Sequence, residues 1–416
     1  MPTIRLMNWN IQNFGRTKAG LNFDNHDVVQ AIAEVVIRED IDIFVMLEVN
    51  TTAEGTAREL ASTMRDALRD EENSEDLELW RQVVISPNTG REFYAFFIKD
   101  SRRTEPLPLA GMVSGGAVTP DILDARHPIV DAIWEADPDD FDVMDDYFPL
   151  LGPDVRERSQ RGRQLRVPVW PGIRYPVIGL FRIAGATQAN EILPIIACHF
   201  APAATVAARQ FETLYHFSLM NAMSPIPDQT QLPVQLRIRR GNAIIRRTPR
   251  FYVLTGDFNI DYNANAYAAI VGNGLKQLGA TAYITNNTDL PKTMLMTYGQ
   301  FNSQRPKNTG QFAVKNFDNV IMRRNSTRGA GAAVPGSEVV NIGEDIRWRA
   351  LQLRASVQHY RELDQRGFDS GQYQWPVSDF ANMLTNLSTG VNLKAALVGA
   401  RLISDHLPAI IDLTVT

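Results

Sequence analysis

Short apolar segments with the pattern of β-strands, separated by helix-like stretches, set the strongest limit on the fold of this chain. The clearest is IFVML at residues 43–47, a continuous apolar run typical of a strand covered on both faces. Further strands are predicted at 79–86, 92–99, 175–183, 191–200, 250–258, 317–323 and 408–415, and helices at 25–40, 55–70, 203–223 and 344–363. Interspersed strands and helices predict an α/β or α+β fold built in layers.

The length of 416 residues allows one large domain or two ordinary ones. No clear boundary divides the sequence, so we expect a single domain over 1–416, with insertions at about 101–172 and 325–397. A hydrophobic content of 44% and a charged content of 21% are those of a globular protein. The N-terminus lacks a signal-peptide pattern, and the single Cys198 excludes an internal disulfide. A cytoplasmic location is therefore expected.

The charge balance argues against a protein that is basic all over. The net charge is −5, so any phosphate-bearing partner must be met by local basic patches or by metal. Basic runs occur at 156–163, 237–247 and 322–329, and each is either a solvated surface or a phosphate-binding patch.

The segment NWNIQNF at residues 8–14 combines a core strand with amide side chains. Asn is depleted in strands because its side chain competes for backbone hydrogen bonds. Asn8 and Asn10 are two residues apart and so lie on the same face of the strand. Their presence suggests that other polar groups meet them where the strand ends.

Acids, amides and histidines recur at the ends of the predicted strands. They are Glu48, His199, Asp257, Asn259, Asp318, Asp405 and His406. Each alone is explained by a turn, a cap or a solvated side chain, but together they suggest a site. Several carboxylates held close together repel unless a divalent cation lies among them, and oxygen ligands favour Mg²⁺ or Mn²⁺ over zinc. Such a site suits hydrolysis of phosphate esters, with carboxylate or imidazole groups moving protons.

The order of motifs resembles the endonuclease/exonuclease/phosphatase superfamily, and within it the deoxyribonuclease I-like branch. The motifs are NWNIQNFG, LEVN, GREFYAFF, CHFAP, LTGDFNID, FDNVIM and SDHLPAIIDL, which extend from residue 8 to residue 413. The resemblance implies a four-layer α/β/β/α sandwich with two sizeable insertions and a site at one edge of the two packed sheets.

The resemblance also implies ligands for Mg²⁺ or Mn²⁺ and for phosphate. Glu48 is the expected metal-binding glutamate, Asn10 the nearby amide, and Asp405 completes the metal site. Asn8 is expected to support Asn10 or to contact substrate. Arg174 resembles the phosphate-contacting arginine of the family.

Two carboxylate–imidazole pairs are implied for the proton transfers. Glu92 is expected to orient His199, and Asp318 to orient His406, so that one histidine acts as general base and the other as general acid. The resemblance gives Asp257 and Asn259 the role of positioning water, phosphate or metal. Whether Asp257 or His406 takes the proton from water stays open.

Some positions depart from the deoxyribonuclease I pattern. Gln12 and Asn50 stand where that branch carries arginines that bind the minor groove and backbone, which argues against ordinary binding of double-stranded DNA. Asn50 is kept as a candidate phosphate or substrate contact. The expected function is divalent-metal-dependent hydrolysis of phosphodiester bonds by a nuclease, with DNA a more favoured partner than RNA and no membrane partner. The alternatives are a phosphatase or phosphodiesterase acting on a small or lipid phosphate, and a binding protein with a relic site. The insertions are candidate contacts for a regulatory protein.

Overall fold

The computed structural model describes residues 3–21, 26–72, 80–85, 92–99, 104–106, 109–114, 158–160, 163–165, 174, 177–183, 192–208, 210, 234–240, 243–247, 251–261, 282–284, 292–308, 311–324, 337–339, 397, 400–401 and 403–414. In these ranges, no helix has both the length and the apolar character required to cross a membrane. The predicted helix at 344–363 lies outside the described residues, and of the predicted helix at 203–223 only 204–208 and 210 are described, as helix.

The described residues form three helices of known bounds and nineteen strands. The helices are α1 (Asp27–Arg38), α2 (Glu54–Glu71) and α3 (Tyr298–Gln304). The strands are β1 (Thr3–Phe14), β2 (Ile43–Asn50), β3 (Trp80–Ile85), β4 (Glu92–Lys99), β5 (Thr104–Pro106), β6 (Leu109–Ser114), β7 (Arg158–Gln160), β8 (Arg163–Leu165), β9 (Val177–Ile183), β10 (Ile192–His199), β11 (Val234–Arg240), β12 (Ala243–Arg247), β13 (Phe251–Asp257), β14 (Ala282–Ile284), β15 (Met294–Leu295), β16 (Ala313–Lys315), β17 (Asp318–Arg324), β18 (Ser337–Val339) and β19 (Ala409–Thr414).

Two six-stranded sheets form the centre of the fold. The first has the order β18-β19-β1-β2-β4-β3, and the second has the order β14-β17-β13-β10-β9-β5. In the first sheet, β1 runs parallel to β2 and antiparallel to β19, with Asn10 opposite Leu47 and Thr3 opposite Thr414. Segments close to the two ends of the chain therefore lie side by side. The short strands β5 and β18 fall inside the two predicted insertions and extend the edges of the two sheets.

Helices cover the outer face of the first sheet. Trp9 and Phe44 on the strands belong to the same buried cluster as Ile32 of α1 and Met64 of α2. Both helices repeat their apolar residues at helical spacing, and this gives each an apolar stripe to bury. Fully burying an apolar side chain of this size contributes roughly 1.5–3 kcal/mol. Amphipathic sequence thus fixes the helices on this face.

The inner face of the first sheet packs against the second sheet. Successive side chains of a strand point to opposite faces, so Leu6, Asn8 and Asn10 face away from α1 and α2. The rings of Phe96 on β4 and Phe181 on β9 meet across the interface with centroids 5.7 Å apart. Helix, sheet and sheet are three of the four layers of the expected α/β/β/α sandwich, and their packing confirms the predicted α/β fold class.

A single glycine allows two strands of the second sheet to approach. Gly256 has a φ of +147°, and a Cβ on it would lie 1.8 Å from the carbonyl oxygen of Cys198. No other residue fits there without displacing β10 from β13. The glycine of the GDFN motif therefore sets the spacing of the strands that end at His199 and Asp257.

Candidate active site

Three neighbouring strands of the second sheet end in polar side chains that are in register. On β10 and β13, His199 is paired with Asp257, and Asp257 is in turn paired with Asp318 on β17. All three side chains are buried. The clustering predicted from strand ends is therefore present on this edge of the sheet.

His199 is held by groups from the first sheet. Its Nδ1 lies 2.6 Å from Oε1 of Glu92 on β4, and its backbone N–H donates to the hydroxyl of Tyr94 at 3.0 Å. Burial by itself lowers the pKa of His199, but the carboxylate of Glu92, joined by Glu48 and Asp257, raises that pKa to about 9. The predicted Glu92–His199 pair is present.

Arg174 is the third partner of His199. Its Nη1 lies 2.5 Å from Nε2 of His199, and its Nε lies 3.2 Å from Oε2 of Glu92. A guanidinium can only donate, so the contact requires an unprotonated Nε2 and places the ring proton on Nδ1, toward Glu92. The carboxylates favour a charged ring, but two N–H groups cannot face each other at this distance. We therefore assign the neutral ring to His199 beside Arg174.

His406 is held by an equivalent carboxylate on the second sheet. Its Nδ1 lies 2.5 Å from Oδ2 of Asp318. Its backbone carbonyl accepts from Nε1 of Trp9 at 2.8 Å, and its backbone N–H donates to the hydroxyl of Ser404 at 3.0 Å. Burial opposes protonation of His406, but Asp318, with Asp257 and Asp405, raises its pKa well above the ordinary value.

Asp257 lies at the centre of the site. Its Oδ2 is 3.6 Å from Nε2 of His199 and also 3.6 Å from Nε2 of His406, and it accepts from Nδ2 of Asn10 at 3.0 Å. Burial raises the pKa of Asp257 while the two imidazoles lower it, and the net shift is upward. In both predicted pairs, Nε2 of the histidine thus lies near one and the same carboxylate.

Glu48 reaches the same space from the first sheet. Its Oε1 accepts from Nδ2 of Asn10 at 3.0 Å and lies 3.5 Å from Nε2 of His199, while its Oε2 accepts from the backbone N–H of Asn13 at 2.7 Å. Burial raises the pKa of Glu48, but His199 and the hydrogen bonds from Asn13 and Asn10 lower it below the ordinary value. Glu48 is therefore ionised at neutral pH.

Asp405 and Gln12 complete the group of polar side chains at the site. Oδ2 of Asp405 accepts from Nε2 of Gln12 at 2.9 Å, and Oδ1 of Asp405 lies 3.8 Å from Nε2 of His406. Gln12 was not assigned a role from the sequence, where it stands at the position of a DNA-binding arginine. In the structure this side chain bonds to a carboxylate of the site.

The remaining predicted residues lie around this centre. The backbone N–H of Asn259 donates to Oδ1 of Asp257 at 2.8 Å, and its Nδ2 donates to the carbonyl of Phe200 at 2.9 Å. Asn50 is exposed and bonds Asn13 at 2.8 Å. Asn8 is wholly buried between the sheets, and neither polar atom of its side chain has a hydrogen-bond partner. Its burial excludes the expected substrate contact and leaves support beneath Asn10.

The donor set fits a cation that takes oxygen ligands and keeps part of its water. Among the residues that the structure describes, no cluster of three acidic, histidine or cysteine side chains is arranged to hold a metal ion. Asn10 turns its N–H groups toward Glu48 and Asp257, and its Oδ1 accepts from Gln12 N, so it supplies donors rather than an oxygen ligand here. Glu48 and Asp405 remain as oxygen ligands. One or two carboxylates with water and substrate phosphate are the usual set for Mg²⁺.

Two further residues hold the site together and carry no signal in the sequence. The hydroxyl of Ser404 donates to the carbonyl of Asn10 and accepts from the N–H of His406, so it joins β1 to the loop of the second histidine. Lys18 lies behind an irregular turn within the last residues of β1, at Gln12 and Asn13, and donates to the carbonyls of Ile11 and Gln12. A serine before an aspartate and a lysine in a loop are too common to be singled out in a sequence.

Comparison with known proteins gives one family. The endonuclease/exonuclease/phosphatase family matches residues 7–406 of the chain. A search of curated proteins gave no match.

Several solved structures are similar over the whole chain. One is an endonuclease/exonuclease/phosphatase from Bacteroides vulgatus, with 12% identity, a TM-score of 0.47 and 100% of each chain covered. A mannosyl-6-phosphatase from Bacteroides thetaiotaomicron has 12% identity, a TM-score of 0.46 and 99% of each chain covered. D. rerio TDP2, solved with a single-strand DNA product, has 9% identity, a TM-score of 0.43 and 100% of each chain covered. At these sequence identities and TM-scores, the similarity gives no information about the substrate of this chain.

Proposed function

This chain belongs to the endonuclease/exonuclease/phosphatase family, and on that premise we propose that it is a divalent-metal-dependent phosphodiesterase that cuts DNA. Hydrolysis of phosphodiesters and other phosphate esters is the activity of the family, which generally uses divalent metals such as Mg²⁺. The observation that carries the proposal is the position of Asp257 Oδ2, 3.6 Å from Nε2 of each of the two histidines whose Nδ1 is bound by a carboxylate.

The two histidines differ in their surroundings in a way that assigns their roles. His199 accepts from Arg174 and is neutral, so its Nε2 is able to take a proton from water once Arg174 turns to the phosphate. His406 has no such cation beside it among the described contacts, and its three carboxylates favour the charged ring. Its Nε2 is therefore able to give a proton to the leaving oxygen. Each ring is fixed at Nδ1 by its own carboxylate, as general acid–base catalysis requires.

Positive charge for the phosphate comes from two sources. Arg174, at the edge of the site, is placed to donate to phosphate oxygens in exchange for its present contact with His199. A divalent cation would be held by Glu48 and Asp405, beside Asn10, and would neutralise charge on the phosphate. Asp257 and Asn259 position water and phosphate between the two rings.

A polymeric substrate is supported by the register of the basic strands. The run 237–247 contains the last residues of β11 and all of β12, where Arg237 stands directly opposite Arg246 and Arg239 follows two positions later along β11. Like charges directly opposite each other destabilise a sheet unless an anion offsets them. A nucleic-acid backbone supplies such an anion along its length.

A small or lipid phosphate is the alternative substrate. Gln12 is bonded to Asp405 and Asn50 to Asn13, so the two residues that replace groove-binding arginines are already engaged. The net charge of −5 also disfavours a general attraction to DNA.

The test offers the protein several substrates with Mg²⁺, Mn²⁺ or a chelator. Supercoiled plasmid, single-stranded DNA, RNA and bis(p-nitrophenyl) phosphate are incubated with the unmodified protein and with His406→Ala. We expect nicking of the plasmid that is lost in chelator and falls roughly 10²–10⁴-fold in the variant. Release of phosphate from small esters with the plasmid intact would establish the alternative.

A second arm tests the basic strands. Arg237→Gln combined with Arg246→Gln is expected to weaken activity on plasmid and to flatten its salt dependence, while bis(p-nitrophenyl) phosphate is cleaved as before. Arg38→Gln combined with Arg65→Gln on α1 and α2 is the matched control, because these arginines pair with Glu39 and Asp66 on helices away from the basic strands. Equal salt dependence in all three proteins contradicts the polymer-binding role.

A further inference from the structure

Lys18 is buried directly behind the site, where a lysine is costly. Lys18 is only 6% exposed, and its Nζ donates to the carbonyls of Ile11 and Gln12 at 2.5 and 2.7 Å. Burial of a lysine is expensive unless its charge and its donors are used. The two backbone carbonyls accept from its amine, and the neighbouring acids Asp405 and Glu48 offset its charge.

The turn that Lys18 contacts has an unusual backbone. Gln12 has a φ of 40° and Asn13 a φ of 54°, and neither is glycine. The left-handed region costs roughly 1–2 kcal/mol per residue for side-chain-bearing residues. Such a conformation persists only where surrounding contacts determine it. The bonds from Lys18 to the carbonyls of Ile11 and Gln12 are contacts of that kind.

The same turn holds the groups expected to bind the metal. The backbone N–H of Gln12 donates to Oδ1 of Asn10 at 3.0 Å, and the Gln12 side chain donates to Asp405 at 2.9 Å. The backbone N–H of Asn13 donates to Glu48 at 2.7 Å. Two residues therefore position three side chains that come from distant parts of the chain.

The charge of Lys18 favours the same arrangement. Burial lowers its pKa to about 7, whereas Asp405 and Glu48 oppose this shift and Arg401 adds to it. Its positive form offsets the repulsion between Glu48 and Asp405, and its amine donates to the turn in either form.

We propose that Lys18 is a positioning residue that sets the divalent-ion affinity of the site by fixing the turn at Gln12 and Asn13. The inference rests on the proposed metal-dependent function and adds to it the residue that arranges the ligands. Lys18 touches neither substrate nor metal. It acts through Asn10, Glu48 and Asp405, by way of the turn.

The test measures metal binding directly, without substrate. Mn²⁺ is titrated into the full chain by isothermal calorimetry, for the unmodified protein, Lys18→Met, Lys18→Arg and the exposed control Lys292→Met. Residues that orient metal ligands typically contribute about 10–100-fold in affinity. We expect Lys18→Met to weaken Mn²⁺ binding by that factor, Lys18→Arg to recover part of it, and Lys292→Met to bind as the unmodified protein does.

The outcomes separate this inference from the proposed function. A folded Lys18→Met protein that binds Mn²⁺ within about twofold of the unmodified protein overturns the inference alone. An unmodified protein that binds no Mn²⁺ overturns the proposed metal dependence and the inference with it. If Lys18→Met does not fold, Gln12→Ala decides, because it removes only the bond to Asp405. Weaker Mn²⁺ binding by Gln12→Ala supports the role of the turn, and unchanged binding overturns it.

Discussion

Asp257 and Asp318 stand directly opposite each other on β13 and β17, and His406 contacts both carboxylates. Like charges at opposite positions of two strands destabilise a sheet. The charged ring of His406 offsets that repulsion with its Nδ1 on Asp318 and its Nε2 toward Asp257. The group expected to give a proton in catalysis is therefore also a counter-charge in the folded protein.

Removal of this counter-charge is expected to destabilise the protein. His406→Ala leaves two buried carboxylates facing each other, and breaking a buried ion pair costs about 3–5 kcal/mol. Asp318→Asn in the same background removes one of the two charges and should recover part of the loss. Urea unfolding of the single and double variants measures both effects. His26→Ala, which removes a histidine at the N-terminus of α1, is the control, and an equal loss there contradicts the explanation.

Neutralising Asp318 alone tests the orientation of His406. Asp318→Asn leaves the shape of the side chain but no longer fixes the proton on Nδ1 of His406. We expect kcat on a phosphodiester to fall roughly 10²–10⁴-fold, with little change in KM. Asp412→Asn, which breaks only the remote ion pair with Arg5, should leave kcat unchanged. A loss confined to KM would show that Asp318 acts in substrate binding instead.

An acid at position 10 should make stability depend on metal. Asn10→Asp replaces a donor that bonds Glu48 and Asp257 with a third carboxylate, and hydrogen bonds to charged groups contribute about 1.5–3 kcal/mol each. In chelator the unfolding temperature should fall below that of the unmodified protein. Saturating Mn²⁺ should raise it by more in the variant than in the unmodified protein. Equal shifts in the two proteins would place the cation elsewhere.

Gly256 is expected to tolerate no side chain. Gly256→Ala places a Cβ 1.8 Å from the carbonyl oxygen of Cys198 and should cost more than about 4 kcal/mol, a loss that is exceptional for a single substitution. Gly55→Ala in α2 is the control, since nothing lies within 4 Å of its added Cβ and alanine favours helix by about 0.5–1 kcal/mol. Thermal unfolding compares the two. A stable Gly256→Ala protein would contradict the close approach of β10 and β13.

The lowered pKa of Lys18 predicts how the free energy of unfolding changes with pH when a chelator keeps the protein free of metal. Its pKa is about 7 in the folded protein against 10.5 for an ordinary lysine, because burial outweighs Asp405 and Glu48 and acts together with Arg401. Between these values the unfolded chain binds the extra proton, so this residue makes the free energy of unfolding rise with pH, by up to about 1.4 kcal/mol per pH unit. Below pH 7 its contribution is constant. Denaturation curves of the unmodified protein and Lys18→Met should diverge in slope across this window, and parallel curves contradict the shift.

Local pattern was sufficient to predict the main strands. The predicted strand at 92–99 has the bounds of β4, and the segment at 250–258 differs from β13 by one residue at each end. A run of apolar residues and its polar end are both local properties, so the meeting of Asp257 with Asp318 followed from where the strands end. The three-residue strands β5 and β18 have no such pattern, and they exist because neighbouring edges offer unpaired backbone groups.

Long-range contacts were beyond prediction from local pattern. The left-handed backbone at Gln12 and Asn13 has no glycine to announce it, and Lys18 resembles any loop lysine until its carbonyl partners are known. Alternation placed Asn8 on the face of Asn10 but did not reveal that the sheets cover it completely. How far a side chain lies from the edge of the two sheets depends on how the sheets pack, and alternation along one strand does not give that distance.

The pairing of β1 with β19 also limits when the protein is able to act during its synthesis. Asn10 is made before His406 and the strand that follows it, which lie almost four hundred residues later in the chain. A ribosome-bound chain that stops before β19 has the acids of one sheet without the second imidazole. The full set of acids and imidazoles is therefore brought together only once β19 has been made and has paired with β1.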